Sequence, residues 1–207
     1  MKPQDIEKRS FEIITAEMGE RTFPAGIAEV VKRVIHTTAD FDYADSLAFS
    51  PDVIEKAKAA LAAGATVVTD TNMALSGVSK VTLAKLGGKA VCLMADEQVA
   101  SEAKARGVTR AVVSMEHAAK FEGPLIFAIG NAPTALIRLH ELIEEGIVAP
   151  ALVIGVPVGF VNVVEAKELF IGGNTPYIIA RGRKGGSNVA ASIVNALLYQ
   201  LVHREGF

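Results

Sequence analysis

From Pro51 onward the chain alternates short apolar runs with amphipathic stretches of helical spacing, and that alternation fixes the fold class. The apolar runs cover 65–70, 89–94, Leu125–Ile129, 151–156 and Tyr177–Ala180. Between and after them lie helical patterns over 51–63, 73–86, 96–106, 133–145, 162–170 and 187–203, several of which stop at a glycine (Gly64, Gly87, Gly107, Gly146). The stretch 110–121 reads as a further, less periodic helix. Runs that are apolar at most positions without alternation need cover on both faces, and runs separated by helices are the pattern of parallel strands joined by crossovers. The expected fold is α/β: a single, mostly parallel, Rossmann-like sheet with helices on both faces.

Two helices precede this region. One begins at Pro3 and carries Ile6, Ile13, Ile14 and Met18 to a stop at Gly19; the other begins at Pro24, with Ile27, Val30, Val31, Val34 and Ile35 on one face and His36 near its last turn. The acidic segment 37–50 is irregular, with room for a short strand. No composition break, repeat or low-complexity tract divides the chain. Residues 1–207 are therefore read as one domain with a helical N-terminal extension packed on its core.

Composition narrows the function classes. Half the residues are hydrophobic, enough for a substantial core, and 21 basic residues face 23 acidic ones for a net charge of −2. A nucleic-acid partner usually calls for a basic excess or stripe, which is missing. No apolar run reaches the roughly 18 to 20 residues of a membrane helix, and no basic start followed by an apolar stretch marks a secretory signal. The single cysteine, Cys92, suits a reducing compartment. A cytoplasmic protein with no membrane or nucleic-acid partner is expected.

Open parallel sheets bind ligands beyond the carboxyl ends of their strands. Four segments there are polar or glycine-rich: 69–72 with Thr71, 130–134 with Asn131 and Thr134, 157–162, and 181–188 with Arg181, Arg183, Lys184, Ser187 and Asn188. The last interleaves three cations with three glycines ahead of a helix whose N-cap is expected at Ser187 or Asn188. Glycine permits close backbone approach, and a helix N-terminus offers free N–H groups and a positive dipole end. That combination reads as an anion site; the same residues are also those of a solvated, ordinarily capped turn. Asn131 has a similar pair of readings, as a carboxylate-holding cap or a plain strand-to-helix turn. Neither G-x-x-x-x-G-K-[ST] nor G-x-G-x-x-G occurs, so a nucleotide is not the favoured anion, and carboxylates are the alternative. His36, at a helix C-terminus that favours its cationic form by about 0.3–1 kcal/mol, is either a proton donor or a capping residue. His117, His140 and His203 lack metal-ligand spacing, and no protein-bound metal is expected.

These segments match a known family. The stretch 35–44, around His36 and Asp40, resembles the histidine motif of the precorrin-8X methylmutase family. Segments 130–136, 157–168 and 180–191 resemble three further motifs in the same order, and 6–11 fits its amino-terminal motif. The resemblance implies an α/β homodimer that binds its substrate near the subunit interface. It implies a methyl shift between adjacent ring C carbons of precorrin-8X, or of cobalt-precorrin-8, to give hydrogenobyrinate or cobyrinate. No cofactor is consumed, and any cobalt belongs to the substrate. His36 would protonate or hydrogen-bond a ring nitrogen, and Ser10 and Arg110 match positions near the substrate. A macrocycle edged with carboxylates also suits the anion sites at Arg181, Arg183, Lys184, Asn131 and Ser187. Two rivals remain: a non-catalytic corrinoid or tetrapyrrole carrier, and a nucleotide- or S-adenosylmethionine-dependent enzyme.

Overall fold

The computed structural model describes residues 3–202, with side chains from residue 5 onward. Six strands form one sheet: β1 (Leu47–Phe49), β2 (Thr66–Thr69), β3 (Lys89–Cys92), β4 (Leu125–Ile129), β5 (Leu152–Gly155) and β6 (Tyr177–Ala180). Their order across the sheet is β1-β6-β5-β4-β2-β3. All neighbours are parallel except β1, which runs antiparallel to β6 at one edge and supplies the short strand allowed for within 37–50.

Alternate residues along each strand feed opposite faces. Val67, Ile126, Ile154 and Ile178 belong to one core. Val68, Phe127, Val153 and Ile179 belong to the other. The period-2 geometry of a strand thus turns each continuous apolar run into two half-cores. Helices α2 (Ile27–Thr38), α4 (Val53–Ala62) and α11 (Ser187–Leu201) cover the first face. Helices α8 (Arg110–Ala118), α9 (Pro133–Glu144) and α10 (Val163–Glu168) cover the second. Helix α7 (Glu97–Arg106), capped by Asp96, packs on α8 through Val99, Ala103 and Val113. The amino-terminal helix α1 (Pro3–Glu17) and the turn after it bring Ile14 and Met18 into the first core. A four-residue helix, α3 (Tyr43–Ser46), precedes β1 and has no counterpart in the sequence expectations. The expected end of α11 at His203 lies outside the described residues.

The helix expected over 73–86 is two: α5 (Asn72–Gly77) and α6 (Lys80–Lys85). The break has a specific cause. Asn195 of α11 donates from its side-chain nitrogen to the Gly77 carbonyl and accepts from the Ser79 amide, both at 2.8 Å. It thereby satisfies backbone groups that a continuous helix would pair internally. Replacing Asn195 with alanine is expected to cost about 1 kcal/mol, read as a lower midpoint in urea unfolding.

Strand order reverses between β2 and β4. The chain steps from β2 out to β3, then returns past β2 to β4 and continues to β6. Helix α5 leaves β2 on one face and α9 leaves β4 on the other, which opens a crevice at the carboxyl ends.

Candidate active site

The segments after β2, β4, β5 and β6 interlock at the carboxyl ends of the strands. Asp70, directly after β2, is 1 % exposed. Its carboxylate accepts hydrogen bonds from the backbone N–H groups of Gly130 (2.9 Å), Asn131 (2.8 Å) and Ala132 (2.6 Å). This is the place where such a sheet usually seats an external anion, at the positive end of α9. The chain fills it with its own carboxylate. Burial pushes the Asp70 carboxyl above its usual range, and the three amide donors pull against that rise.

The expected capping at Asn131 is therefore not formed. The N-cap of α9 is Ala132, without a side-chain bond, and Asn131 is exposed. Gly130 is pressed against the next segment: a Cβ there would sit 2.7 Å from the Ser187 Cα and 2.8 Å from the Gly186 carbonyl oxygen. Thr71 caps α5 by accepting from the Ala74 amide, and its hydroxyl shares a 2.7 Å bond with that of Ser187. With its hydroxyl engaged there, Ser187 does not cap α11. That N-cap is Gly186, at φ 140°, rather than Ser187 or Asn188. A Cβ on Gly185 would collide with the Val156 carbonyl, so only glycine lets this loop lie on the end of β5.

The three cations of the 181–186 loop are unequal. Arg181 forms a two-pronged pair with Glu168, at 3.0 and 2.7 Å, which lowers the Glu168 carboxyl. Lys184 bridges Asp40 and Asp42, both at 2.6 Å, holding Asp40 below the usual carboxylate range. Arg183 makes no ion pair among the described residues. Its guanidinium lies 5.4 Å from the centroid of the Phe160 ring, and that ring is 81 % exposed. Beneath the loop, the fully buried Lys167 ammonium donates to the carbonyls of Gly182 and Lys184, both at 2.8 Å.

His36 stands in the last turn of α2, as its spacing indicates, and is exposed. Its ring stacks on Phe11 of α1, with centroids 5.2 Å apart and planes 17° from parallel. Phe11 also carries the Arg33 guanidinium, 4.7 Å from its centroid. The imidazole forms a ridge between two shallow hollows. One, of about 280 Å³, is shared with Asn188, Asn195 and Tyr199. The other, of about 220 Å³, is shared with Ser10, Ile13 and Phe41. Ser10 donates to the Ile6 carbonyl of its own helix. After His36 the chain turns through Ala39 in the left-handed region (φ 54°), and the Asp40 amide donates to Thr38 Oγ1. The turn thereby brings Asp40 and Asp42 to Lys184 of the glycine–arginine loop.

At the far side of the crevice the Thr134 and Thr109 hydroxyls are 3.2 Å apart. Among the described residues Arg110, exposed beside Thr109, reaches the Met94 carbonyl alone, at 3.5 Å. A cation in the first turn of a helix opposes the dipole, so this position does little for α8 itself. The contacts thus run in one arc from His36 through Lys184, Ser187, Thr71, Asp70 and Asn131 to Thr134 and Arg110. A hollow of about 420 Å³ lies instead at the amino ends of the strands, beside Phe49 and Pro51. It is lined by Asp52 and Glu55 with no cation, which does not suit a polyanion. His117 pairs with Glu102 at 2.7 Å and His140 lies edge-on to Phe170, both away from the arc.

Asp70, Phe160 and Lys167 fall within segments marked out from the sequence, but none was assigned a role there. For Lys167 a signal existed: Val163, Ala166, Lys167 and Phe170 follow helical spacing, and all four are buried.

Comparison with known proteins places this arc in context. The sequence profile described as precorrin-8X methylmutase matches residues 5–200. A cobalt-precorrin-8 methylmutase from Salmonella typhimurium is 46% identical, over 97% of this chain and 96% of that protein. A precorrin-8X methylmutase from Pseudomonas aeruginosa is 40% identical, over 94% of each. The crystal structure of the precorrin-8X methylmutase from Thermus thermophilus superposes with a TM-score of 0.88 at 39% identity, covering 94% of each chain.

Proposed function

This chain belongs to the precorrin-8X methylmutase family, and from that premise we propose that its arc of loops seats a corrin precursor whose methyl group migrates under the influence of His36. The protein is an isomerase of cobalamin biosynthesis. Its substrate is precorrin-8X or cobalt-precorrin-8, the methyl moves between adjacent ring C carbons, and the product is hydrogenobyrinate or cobyrinate. Atoms balance within the one molecule, so we read the reaction as cofactor-free, with any cobalt part of the substrate. The setting is the cytoplasm; among the described residues no helix is long and apolar enough to cross a membrane.

The observation that carries the reading is the position of His36. It is an exposed imidazole at a helix C-terminus, held flat against Phe11, on a ridge whose flanks include Ser10 and Asn188. Donation to a ring nitrogen draws electron density from the conjugated system and lowers the barrier to methyl migration; the proton returns to the imidazole when the product ring relaxes. Arg183, Arg110, Thr134, Thr71, Asn131, Ser187 and Asn188 line the arc where the acetate and propionate groups would lie. Arg181 and Lys184 already hold carboxylates of the chain, and those pairs brace the loop that carries Arg183. Both hollows beside His36 fall below the ~300–1,000 Å³ usual for small-molecule sites. A wide macrocycle therefore spreads over this face, which fits a homodimer with the substrate near the interface.

Incubation of the protein with precorrin-8X, or its cobalt counterpart, is expected to give a spectral change with no change in mass. Tight binding without conversion would make the protein a carrier instead. Because Arg183 is the cation of its loop with no carboxylate partner, Arg183→Ala is expected to weaken substrate binding about tenfold or more, at about 1.5–3 kcal/mol for a charged hydrogen bond. Arg181→Ala, which first frees Glu168, is expected to weaken it less. Titration of both variants with product checks the order.

A further inference from the structure

Lys167 and Asp70 are the two charged side chains buried in the core of the described residues. Asp70 is answered by three amides. Lys167 is answered by two carbonyl oxygens and makes no ion pair among the described residues. Its neighbour Glu168 favours the ammonium through space, but the Glu168 oxygens are bonded to Arg181, and burial outweighs that help. The charged and titratable groups around it are Glu165 (exposed) and Glu168 on its own helix, Arg181, Arg183 and Lys184 on the loop it supports, and Asp40 and Asp42 beyond Lys184. Tyr177 of β6 and Arg138, His140, Glu141 and Glu144 of α9 complete the set on the elements packed nearby. Of these, Arg138 and Glu141 are bound to each other. On the loop side, four cations (Lys167, Arg181, Arg183, Lys184) face three carboxylates (Glu168, Asp40, Asp42). A desolvated ammonium is costly unless its charge is compensated, and the loop it holds is the one whose Arg183 waits for an anion.

We propose that Lys167 is a positioning residue whose missing counter-charge is a carboxylate of the bound corrin, so that substrate binding is coupled to proton uptake at Lys167. The inference rests on the corrin-binding reading above. Lys167 does not touch the ligand; it acts through the Gly182 and Lys184 carbonyls that set the loop, and through its charge behind Arg183. Burial pushes its ammonium down to about 8, so in the free protein the charge is lost as the pH rises through mildly alkaline values. An anion seated on the loop favours the charged form and lifts that value. Affinity is then greatest at neutral pH, where both free and bound proteins are charged. It falls as the pH passes the free protein's value and levels off above the bound protein's value.

The test is titration of the wild-type protein with hydrogenobyrinate from about pH 7 to about pH 9.5. It is paired with calorimetry near pH 8.5 in two buffers of different ionisation heat. Affinity is expected to fall by up to about tenfold per pH unit above about 8, with net uptake of up to about one proton. Lys167→Arg, whose cation does not titrate in this range, is expected to keep its neutral-pH affinity at alkaline pH and to show no uptake. Lys167→Met is expected to bind weakly at every pH. A flat wild-type profile with no proton uptake overturns the proposal, and so does an unchanged profile in Lys167→Arg. The wild-type uptake decides even if Lys167→Met fails to fold. Absence of hydrogenobyrinate binding at neutral pH takes down the corrin reading and this proposal together, whereas pH-independent binding takes down this proposal alone.

Discussion

His36→Ala is expected to bind corrin substrate within a few-fold of wild type and to convert it about 10²- to 10⁴-fold more slowly, the usual worth of a positioned proton donor. The separation of the two effects follows from geometry. The groups suited to carboxylates lie along the loops after β2, β4 and β6 and at the start of α8, whereas His36 is on α2 and is held by stacking on Phe11. Removing the imidazole leaves those loops and their contacts in place. The measurement is single-turnover conversion followed by absorbance, alongside equilibrium titration with product. Conversion near the wild-type rate would remove His36 from the chemistry. A loss of binding as large as the loss of rate would make it a binding group instead. Because the ring is exposed and makes no hydrogen bond to the fold among the described residues, a large loss of stability is not expected.

Asp70→Ala is expected to be the most damaging single change to the fold. Three consecutive amides at the start of α9 lose a charged acceptor at a site closed to water. Hydrogen bonds to charged groups are worth about 1.5–3 kcal/mol each, and breaking a buried charged constellation from one side typically costs about 3–5 kcal/mol in all. Against the 5–15 kcal/mol of a typical domain, about that much is a large fraction of the whole. Asp70→Asn keeps the shape but offers one acceptor oxygen and turns a donor toward donors, so it is expected to recover little. Urea unfolding followed by circular dichroism measures both. An Asp70→Ala protein within about 1 kcal/mol of wild type, an ordinary surface-like change, would show that the carboxylate does not hold the two loops together.

The sheet and its helices were readable because burial on two faces writes itself into the sequence as short, largely apolar runs, and glycine stops mark the ends of α1, α4, α6, α7 and α9. The break at Val78–Ser79 was not readable, because it is imposed by Asn195, more than a hundred residues away. The caps were misassigned for a related reason. Asn131 and Ser187 are good local capping types, but Asp70 and Thr71 reach them from another strand end and take over the groups a local cap would use. The cations of the last loop could be found by type; which of them was free could not, since Glu168, Asp40 and Asp42 become partners only in the fold. Lys167 could have been found. A lysine in register with Val163, Ala166 and Phe170 sits on the buried face of its helix, and such a residue invites the question of what accepts its protons.

The carboxylate at the switch point has a bearing on selectivity inside a cell. Parallel sheets of this kind are common hosts for phosphorylated metabolites because the amides at a helix start, left open, accept any compact oxyanion. Here that berth is occupied from within, by a residue of the same chain, before any solute arrives. A compact phosphate finds no vacancy at the start of α9, and what remains attractive on this face is a dispersed set of separate charges. A small, concentrated anion can satisfy one of them; only a broad molecule with carboxylates around its rim can satisfy several at once. A scarce biosynthetic intermediate can then be picked out of a phosphate-rich solution by the spread of its charges.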